Sequence, residues 1–141
     1  MTLSYEADRL LKALAGREAV RDLSVRQTQA FAAGDGPTWI GTFVVQGELE
    51  LPGGEHVRGH AALSQWFDRA DRTGTAIATN SVVTIDGVHG TQHSIVLQLA
   101  GPLEGGATIA SVHSVFDDVI YERGRWYFSR RRMMPGVVPG P

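Results

Sequence analysis

The 141-residue chain contains no cysteine, which excludes disulfide bonds, thiolate catalysis and cysteine-based zinc sites. It also lacks an excess of charge of either sign, because 13 basic and 15 acidic residues leave a formal net charge of −2 at pH 7. A nearly neutral chain is a poor partner for nucleic acids or anionic membranes, and we expect it to bind neither. The absence of cysteine fits a cytoplasmic location.

Long apolar runs and nucleotide- or metal-binding motifs are also missing. No apolar stretch approaches the roughly 20 residues that span a bilayer, and the acidic N-terminal segment does not resemble a signal peptide. The glycine-rich phosphate and dinucleotide loops, the zinc-protease helix motif and the serine-hydrolase elbow are absent from the sequence. His56 and His60 flank a turn without a third ligand, so we expect no metal site and no cofactor.

The helical segments follow from apolar periodicity and from capping residues. Helices are predicted over Tyr5–Ala15, Arg17–Ala33 and Gly59–Ala70, with Gly16 interrupting the first two. Gly34 and the residues up to Pro37 should end the second helix. No repeat or change in composition divides the chain, so residues 1–141 are predicted to form a single domain with a flexible tail at 135–141.

Alternating or β-branched segments predict five strands, of which the last four are antiparallel neighbours joined by glycine-bearing turns. The predicted strands are Val44–Leu51, Thr75–Ile85, Thr91–Ala100, Thr108–Glu122 and Arg125–Met133. Helices followed by grouped strands indicate an α+β fold. We predict a strongly curved, mostly antiparallel sheet that wraps like a cone around the N-terminal helices and encloses an internal cavity.

Three segments resemble one known family in their order and spacing. REAVRDLSVRQTQAFAAGD, GGEHVRGHAALSQWF and FDDVIYERGRWYFSRRR are similar to the nuclear transport factor 2-like superfamily, in its SnoaL-like branch of polyketide cyclases and scytalone dehydratase relatives. The resemblance spans roughly residues 17–132. It implies cofactor-free cyclisation, isomerisation or dehydration of a hydrophobic substrate, polyketide-like or steroid-like.

The chain departs from that family at its acid–base residues. The tyrosine and aspartate that such dehydratases carry on the long helix correspond to Gln27 and Ala32, and the strand that would carry the histidine reads TAIATN. The acid of the penultimate strand matches at Asp117, and the closing pattern matches at Trp126 and Arg130–Arg132. The family's usual mechanism therefore does not transfer residue by residue.

Two histidines are the remaining candidate bases. A turn at Gly101–Gly106 places His93 opposite His113 or its neighbour, with Cβ atoms about 5 Å apart. Two close imidazoles repel when both are protonated, so one would stay neutral and could accept a proton. The alternative is a pair on the solvent-facing side of the sheet.

Asp117 and the arginines of the last strand form a second candidate group. The turn at Glu122–Arg125 places Asp117 opposite Arg130, with Arg131 one step away. Such a pair either pins the last two strands together or holds an arginine that binds a substrate oxygen. Asp118 points to the other face, towards solvent.

The other candidates line the helical side of the predicted cavity. Gln27 interrupts an apolar helix stripe, so it either finds a polar partner or ligand, or reaches solvent at the boundary. Trp39, Phe43 and Trp66 either line a substrate pocket or belong to the core.

These residues predict a small-molecule enzyme in which His113 or His93 is the base and Gln27 orients the substrate. Trp39, Phe43, Trp66, Asp117, Arg130 and Arg131 are the candidate substrate-binding residues. The alternative is a non-catalytic protein of the same fold that binds a ligand or a partner. We also expect a homodimer through the convex face of the sheet, because the strands at 91–100 and 108–121 carry apolar residues on both sides.

Overall fold

The computed structural model describes residues 4–102 and 104–139. In this part of the chain, three helices pack against one six-stranded sheet. The elements are α1 (Tyr5–Ala33), α2 (Gly36–Gly41), β1 (Phe43–Glu50), β2 (His56–Arg58), α3 (His60–Arg69), β3 (Thr75–Asp86), β4 (His89–Ala100), β5 (Thr108–Glu122) and β6 (Arg125–Pro135). The predicted α+β class with a curved, mostly antiparallel sheet is confirmed.

The strand order is β2-β1-β6-β5-β4-β3, and the β1–β6 pair alone is parallel among the described strands. The predicted strands differ from the observed ones by one or two residues at their ends, apart from β5, whose ends agree. The three-residue strand β2 was not predicted, because a segment this short carries no periodic signal.

The predicted break at Gly16 is wrong, since α1 runs without interruption from Tyr5 to Ala33. Gly16 is buried against the sheet, where an added Cβ would lie 3.3 Å from Ile85 Cγ1 and 3.4 Å from Trp126 Cζ2. The missing side chain thus lets the helix approach the sheet closely, which offsets the low helix propensity of glycine. The predicted end at Gly34 is confirmed, with φ of +70°.

The core lies between the helices and one face of the sheet. Val20 and Leu23 of α1 and Leu63 and Phe67 of α3 belong to the same buried cluster as Phe128 of β6. These contacts hold both long helices against the face that we call the inner face. The opposite face is called the outer face.

Two β-bulges set which residues meet across β4, β5 and β6. Near Ala110, the β4–β5 register shifts by one residue, and near Ser129 the β5–β6 register does the same. A shift of one residue changes the partner of every side chain beyond it. The two pairings predicted from the sequence, His93 with His113 and Asp117 with Arg130, both lie beyond a bulge, so each is shifted.

The C-terminal segment turns at Gly136 and crosses Ser114. The Ser114 hydroxyl donates to Gly136 O (2.9 Å), and the Val138 amide donates to Ser114 Oγ (2.7 Å). Gly140 and Pro141, in the predicted flexible tail, lie outside the described residues, and so does Leu103 in the predicted turn at Gly101–Gly106. Within the described helices, none has the length and apolar character needed to cross a membrane.

Candidate active site

A row of buried residues crosses five strands on the inner face, beneath α1. From β3 to β1 the row reads Val83, Gln92, Asp117, Arg131 and Leu49. All five are buried, including the charged pair, with exposed fractions of 2% for Asp117 and 7% for Arg131. A polar stretch in the middle of an apolar interior requires that each polar atom find a partner.

Arg131 and Asp117 provide most of those partners for each other. Arg131 Nε donates to Asp117 Oδ1 (2.7 Å), and Nη2 donates to Oδ2 (3.0 Å). Arg131 Nη1 also donates to Gln27 Oε1 on α1. A guanidinium has five N–H groups, so two remain after these three hydrogen bonds. Those two can donate to an oxygen of a bound molecule.

Gln92 links the ion pair to two further elements. Its Nε2 donates to Asp117 Oδ2 (3.1 Å) and to Ser24 Oγ on α1 (2.6 Å), and its Oε1 accepts from Ser81 Oγ (2.9 Å). On the other side, Gln27 Nε2 donates to Thr42 Oγ1 (2.7 Å). We call these seven residues the inner polar cluster: Ser24, Gln27, Thr42, Ser81, Gln92, Asp117 and Arg131.

The register explains why Asp117 meets Arg131 and not Arg130. Ser129 is the extra residue of the bulge in β6, and its hydroxyl donates to Asp118 O (3.1 Å). Beyond this bulge Asp117 pairs with Arg131, and Asp118 pairs with Arg130. The predicted Asp117–Arg130 pair is therefore wrong by one residue, while an ion pair between Asp117 and the arginine run is present.

Gln27 is buried, with an exposed fraction of 4%, and both ends of its amide are hydrogen-bonded. The alternative that it reaches solvent is wrong. The position that corresponds to the family's helix aspartate, Ala32, is exposed near the C-terminal end of α1. Replacing Ala32 would thus leave the inner polar cluster untouched.

The two histidines do not share a face, so this prediction is wrong. Because of the bulge near Ala110, His93 pairs with Phe116 and His113 pairs with Val96. His93 lies on the outer face, where its ring stacks on Phe116 at a centroid distance of 4.4 Å. His113 shares the inner face with Val115 and Asp117 by the period of two.

His113 is half-buried and lies four residues from Asp117 along β5. This spacing corresponds to about 13 Å along the strand. A ligand that extends along the inner face could contact both ends of this stretch. The catalytic role of either histidine stays a prediction, and the outer position of His93 separates it from the inner polar cluster.

The predicted aromatic residues lie together beside the cluster. Trp39 and Phe43 are buried, and Trp66 is half-buried. The Trp39 ring lies 5.3 Å from Trp66 and 5.2 Å from Phe43 between centroids. The Trp39 carbonyl accepts from Thr42 Oγ1 (2.6 Å), which connects the aromatic group to the cluster. Trp39 and Phe43 belong to the core, so whether they also contact a ligand stays a prediction.

Arg130 lies on the outer face and binds Glu50 through Nη2 (2.6 Å). It is thus remote from the inner polar cluster, and its predicted role in binding substrate would need a second site. His56 contacts Glu48 (3.1 Å), and the His60 ring contacts Phe43 O (2.9 Å). Among residues 4–102 and 104–139, no group of three or more potential ligand side chains could hold a metal.

The sequence reasoning missed Ser24, Thr42, Ser81 and Gln92. The alternation of β4 offers no signal for Gln92, because it places this residue on the same face as Ser94 and Gln98, and a polar face predicts exposure, whereas Gln92 and Ser94 are buried. Only the correct register aligns that glutamine with Asp117, and the register depends on the bulge. The hydrogen-bonded side chains of the inner polar cluster fill the interior where they lie. The predicted internal cavity, which would have to lie beside the cluster, stays a prediction.

Comparison with known proteins gives a family and a fold. The model of the SnoaL-like domain matches residues 12–132. No curated protein matches the chain. Among solved structures, a nuclear transport factor 2-like protein with a cystatin-like fold from Novosphingobium aromaticivorans is 24% identical, with a TM-score of 0.77, and the alignment covers 95% of this chain and 90% of that one.

Two further solved structures are similar to the chain at lower identity. A candidate scytalone dehydratase from Novosphingobium aromaticivorans is 17% identical over 88% of this chain and 86% of its own, with a TM-score of 0.74. ActVI-ORFA from Streptomyces coelicolor is 14% identical over 84% of this chain and 96% of its own, with a TM-score of 0.75. At these identities the likeness establishes the fold alone.

Proposed function

Because this chain belongs to the SnoaL-like domain family, we propose that it is a small-molecule enzyme that transfers protons without a cofactor. The substrate is a hydrophobic carbonyl compound, polyketide-like or steroid-like, that lies along the inner face of the sheet. The observation that carries this proposal is the buried Arg131, whose two uncommitted N–H groups can donate to an oxygen on which negative charge develops.

The chemistry is an enolisation. A base removes a proton from a carbon that is conjugated with the carbonyl, the C–H electron pair forms a carbon–carbon double bond, the π electrons shift along the conjugated system, and the carbonyl π pair moves to oxygen. Arg131 then stabilises the enolate oxygen, with Asp117 and Gln27 fixing the guanidinium. Return of the proton to another carbon gives isomerisation, loss of a β-hydroxyl with a proton gives dehydration, and attack on a second carbonyl gives cyclisation.

His113 is the base in this proposal. It shares the inner face with Asp117, and Asp117 itself is a poor base because both of its oxygens accept hydrogen bonds from Arg131 and Gln92. A general base must come within about 3 Å of the proton, directly or through one water. Because His113 and Asp117 lie about 13 Å apart along β5, the acidic carbon near His113 is joined to the oxygen near Arg131 by a conjugated ring, through which the negative charge reaches that oxygen.

The experiment measures deuterium uptake from D2O by enolisable ketones, followed by proton NMR near neutral pD. α-Tetralone, an anthrone and a 3-keto steroid serve as probes of increasing size. We expect the wild-type protein to accelerate exchange of at least one probe, and His113→Ala to lower the rate by about 100-fold or more. His93→Ala is the matched control, because its ring lies on the outer face and the rate should stay unchanged.

A second candidate function is ligand binding without catalysis. The observation that favours it is the complete pairing of the Asp117 carboxylate, which leaves the inner polar cluster without a free base. Saturable quenching of tryptophan fluorescence by the same ketones, with exchange no faster than in buffer, would support this function. Equal exchange rates in wild type and His113→Ala would contradict the assignment of the base.

A further inference from the structure

Strand β3 forms one edge of the sheet, since β4 is its only partner among the described strands. Native proteins protect an edge strand with charged side chains, prolines, bulges or a covering segment, because its unpaired N–H and C=O groups are a template for another strand. Residues 75–85 of β3 include no charged residue and no proline. A bulge between Thr79 and Val82 interrupts the strand, and residues 82–86 beyond it form a regular stretch that is open to pairing.

A groove of about 430 Å³ runs between this edge and helix α1. Its lining residues come from the middle of β3 and from one side of the helix: Ser81, Val82, Val83, Leu14, Arg17, Glu18 and Arg21. Val82 is 63% exposed and Leu14 is 43% exposed, so the groove presents apolar surface to solvent. When a segment adds to a sheet edge, such a groove receives its alternate side chains and provides the selectivity.

The helix side of the groove carries one positive charge in excess. Arg21 donates to Glu18 Oε1 (3.0 Å), so these two charges offset each other. Arg17 is half-buried and forms no ion pair with another described residue. A guanidinium can donate two parallel hydrogen bonds to a carboxylate. The groove is therefore complementary to an acidic side chain.

The geometry of a strand then fixes the pattern of the occupant. Successive side chains of an extended segment point to opposite faces of the sheet. In a segment paired with residues 82–86, every second side chain lies on the inner side, where α1 holds Arg17. The side chains between them lie on the outer side, next to Val82 and Thr84. A segment that alternates acidic and apolar residues matches both sides.

We propose that the edge of β3 binds an extended segment of a partner protein as an additional strand, and that this segment alternates acidic and apolar residues. Main-chain hydrogen bonds along residues 82–86 supply the affinity, and Arg17 supplies the selectivity. This stretch spans about 17 Å, the length of an ordinary strand. The role is separate from the enolisation proposed above, and its test requires no turnover.

The probe is a fluorescein-labelled octapeptide of alternating Glu and Val, and fluorescence anisotropy at low salt measures its binding to the full chain. We expect saturable binding, and a peptide of alternating Lys and Val should bind about tenfold more weakly or less. Two further peptides carry N-methyl groups on either all Glu or all Val amides. Successive N–H groups of a strand point to opposite edges, so one of the two should lose binding and the other should keep it.

Arg17→Glu reverses the charge in the groove. It should weaken binding of the Glu–Val peptide by about tenfold or more and favour the Lys–Val peptide instead. Arg26→Glu makes the same change in net charge and is the matched control, because Arg26 is an exposed residue of α1 that does not line the groove. It should bind the peptides as the wild type does, and both variants should melt cooperatively.

Hydrogen exchange followed by mass spectrometry locates the peptide, which should slow exchange of the β3 amides. Absence of saturable binding, or protection confined to other elements, would overturn the proposal. Equal binding of the two N-methylated peptides would exclude strand addition, and equal effects of the two substitutions would exclude Arg17. A wild-type dimer that dissociates as the peptide binds, measured by light scattering, would assign the edge to a second copy of this chain and overturn a separate partner.

Discussion

Arg131 donates two hydrogen bonds to Asp117 in the protein interior, from Nε to Oδ1 at 2.7 Å and from Nη2 to Oδ2 at 3.0 Å. The pair joins β5 to β6, and the third hydrogen bond of Arg131, to Gln27, joins both strands to α1. The Asp117 side chain is 0% exposed and the Arg131 side chain is 8% exposed. Water therefore cannot take the place of either partner if the other is removed. The pair is thus a structural element as well as a candidate binding group.

Asp117→Asn should lower the free energy of unfolding by about 3–5 kcal/mol, since it leaves the Arg131 charge buried without compensation. Urea denaturation of the wild type and the variant measures this difference. Asp22→Asn on the exposed side of α1 is the control and should change stability by less than about 0.5 kcal/mol. An unchanged stability together with lost ketone binding would assign Asp117 to ligand recognition alone.

Local pattern was enough to predict the five longer strands and helix α3, but not the partners across the sheet. The ends of β5 agree with the prediction, because β-branched and aromatic residues fill Thr108–Glu122 between two glycine-bearing turns. The bulges near Ala110 and Ser129 have no comparable signature. The extra residue in β5 put His93 and His113 on opposite faces, and the extra residue in β6 brought Arg131 opposite Asp117.

Two further differences have their origin in long-range contacts. Glycine disfavours a helix locally, so the sequence around Gly16 predicts a break. The reason for a glycine here lies in the sheet, where Ile85 and Trp126 leave no room for a side chain on α1. The parallel pairing of β1 with β6 joins residues about 80 positions apart, such as Glu50 and Arg132, which hairpin reasoning cannot reach. The inner polar cluster depends on the same long-range packing, since it joins α1 to β3, β4, β5 and β6.

Gly16→Val should destabilise the protein by about 1–3 kcal/mol, because its branched side chain must displace Ile85 or Trp126. Thermal unfolding followed by circular dichroism measures the effect. Ala15→Val, at the adjacent exposed position of α1, carries the same β-branched penalty without the contact and should cost less. Equal losses for the two variants would show that helix propensity, not the close approach, governs this position.

The N-cap of α2 should make a small part of the stability dependent on pH. Asp35 Oδ1 accepts from the Thr38 amide (3.2 Å), and hydrogen bonding to the Thr38 side chain and backbone holds the pKa of Asp35 below its ordinary value. Because the pKa of Asp35 is lowered in the folded state, its carboxylate stabilises the fold when the pH is above the ordinary pKa of a carboxyl group. This added stability is lost as the pH falls below about 4.

Asp35→Ala should therefore lower the melting temperature at neutral pH, and the difference from the wild type should shrink as the pH is lowered through that range. Asp35→Asn is the control, since its amide oxygen can still cap the helix without titrating. Melting curves recorded from neutral to acidic pH check both variants. A difference that is constant with pH would show that the charge of Asp35 contributes nothing to the cap.

Arg131→Lys separates the role of charge from the role of geometry in the proposed reaction. Lysine keeps a positive charge beside Asp117, so the fold should lose less stability than in Asp117→Asn. A single ammonium cannot bond both oxygens of Asp117, reach Gln27 and still present a fixed donor to a substrate oxygen. We expect ketone-dependent deuterium exchange to fall by about 100-fold or more.

Arg130→Lys, on the outer face, should exchange at the wild-type rate. Wild-type exchange by a stably folded Arg131→Lys would exclude the guanidinium as the group that stabilises the enolate.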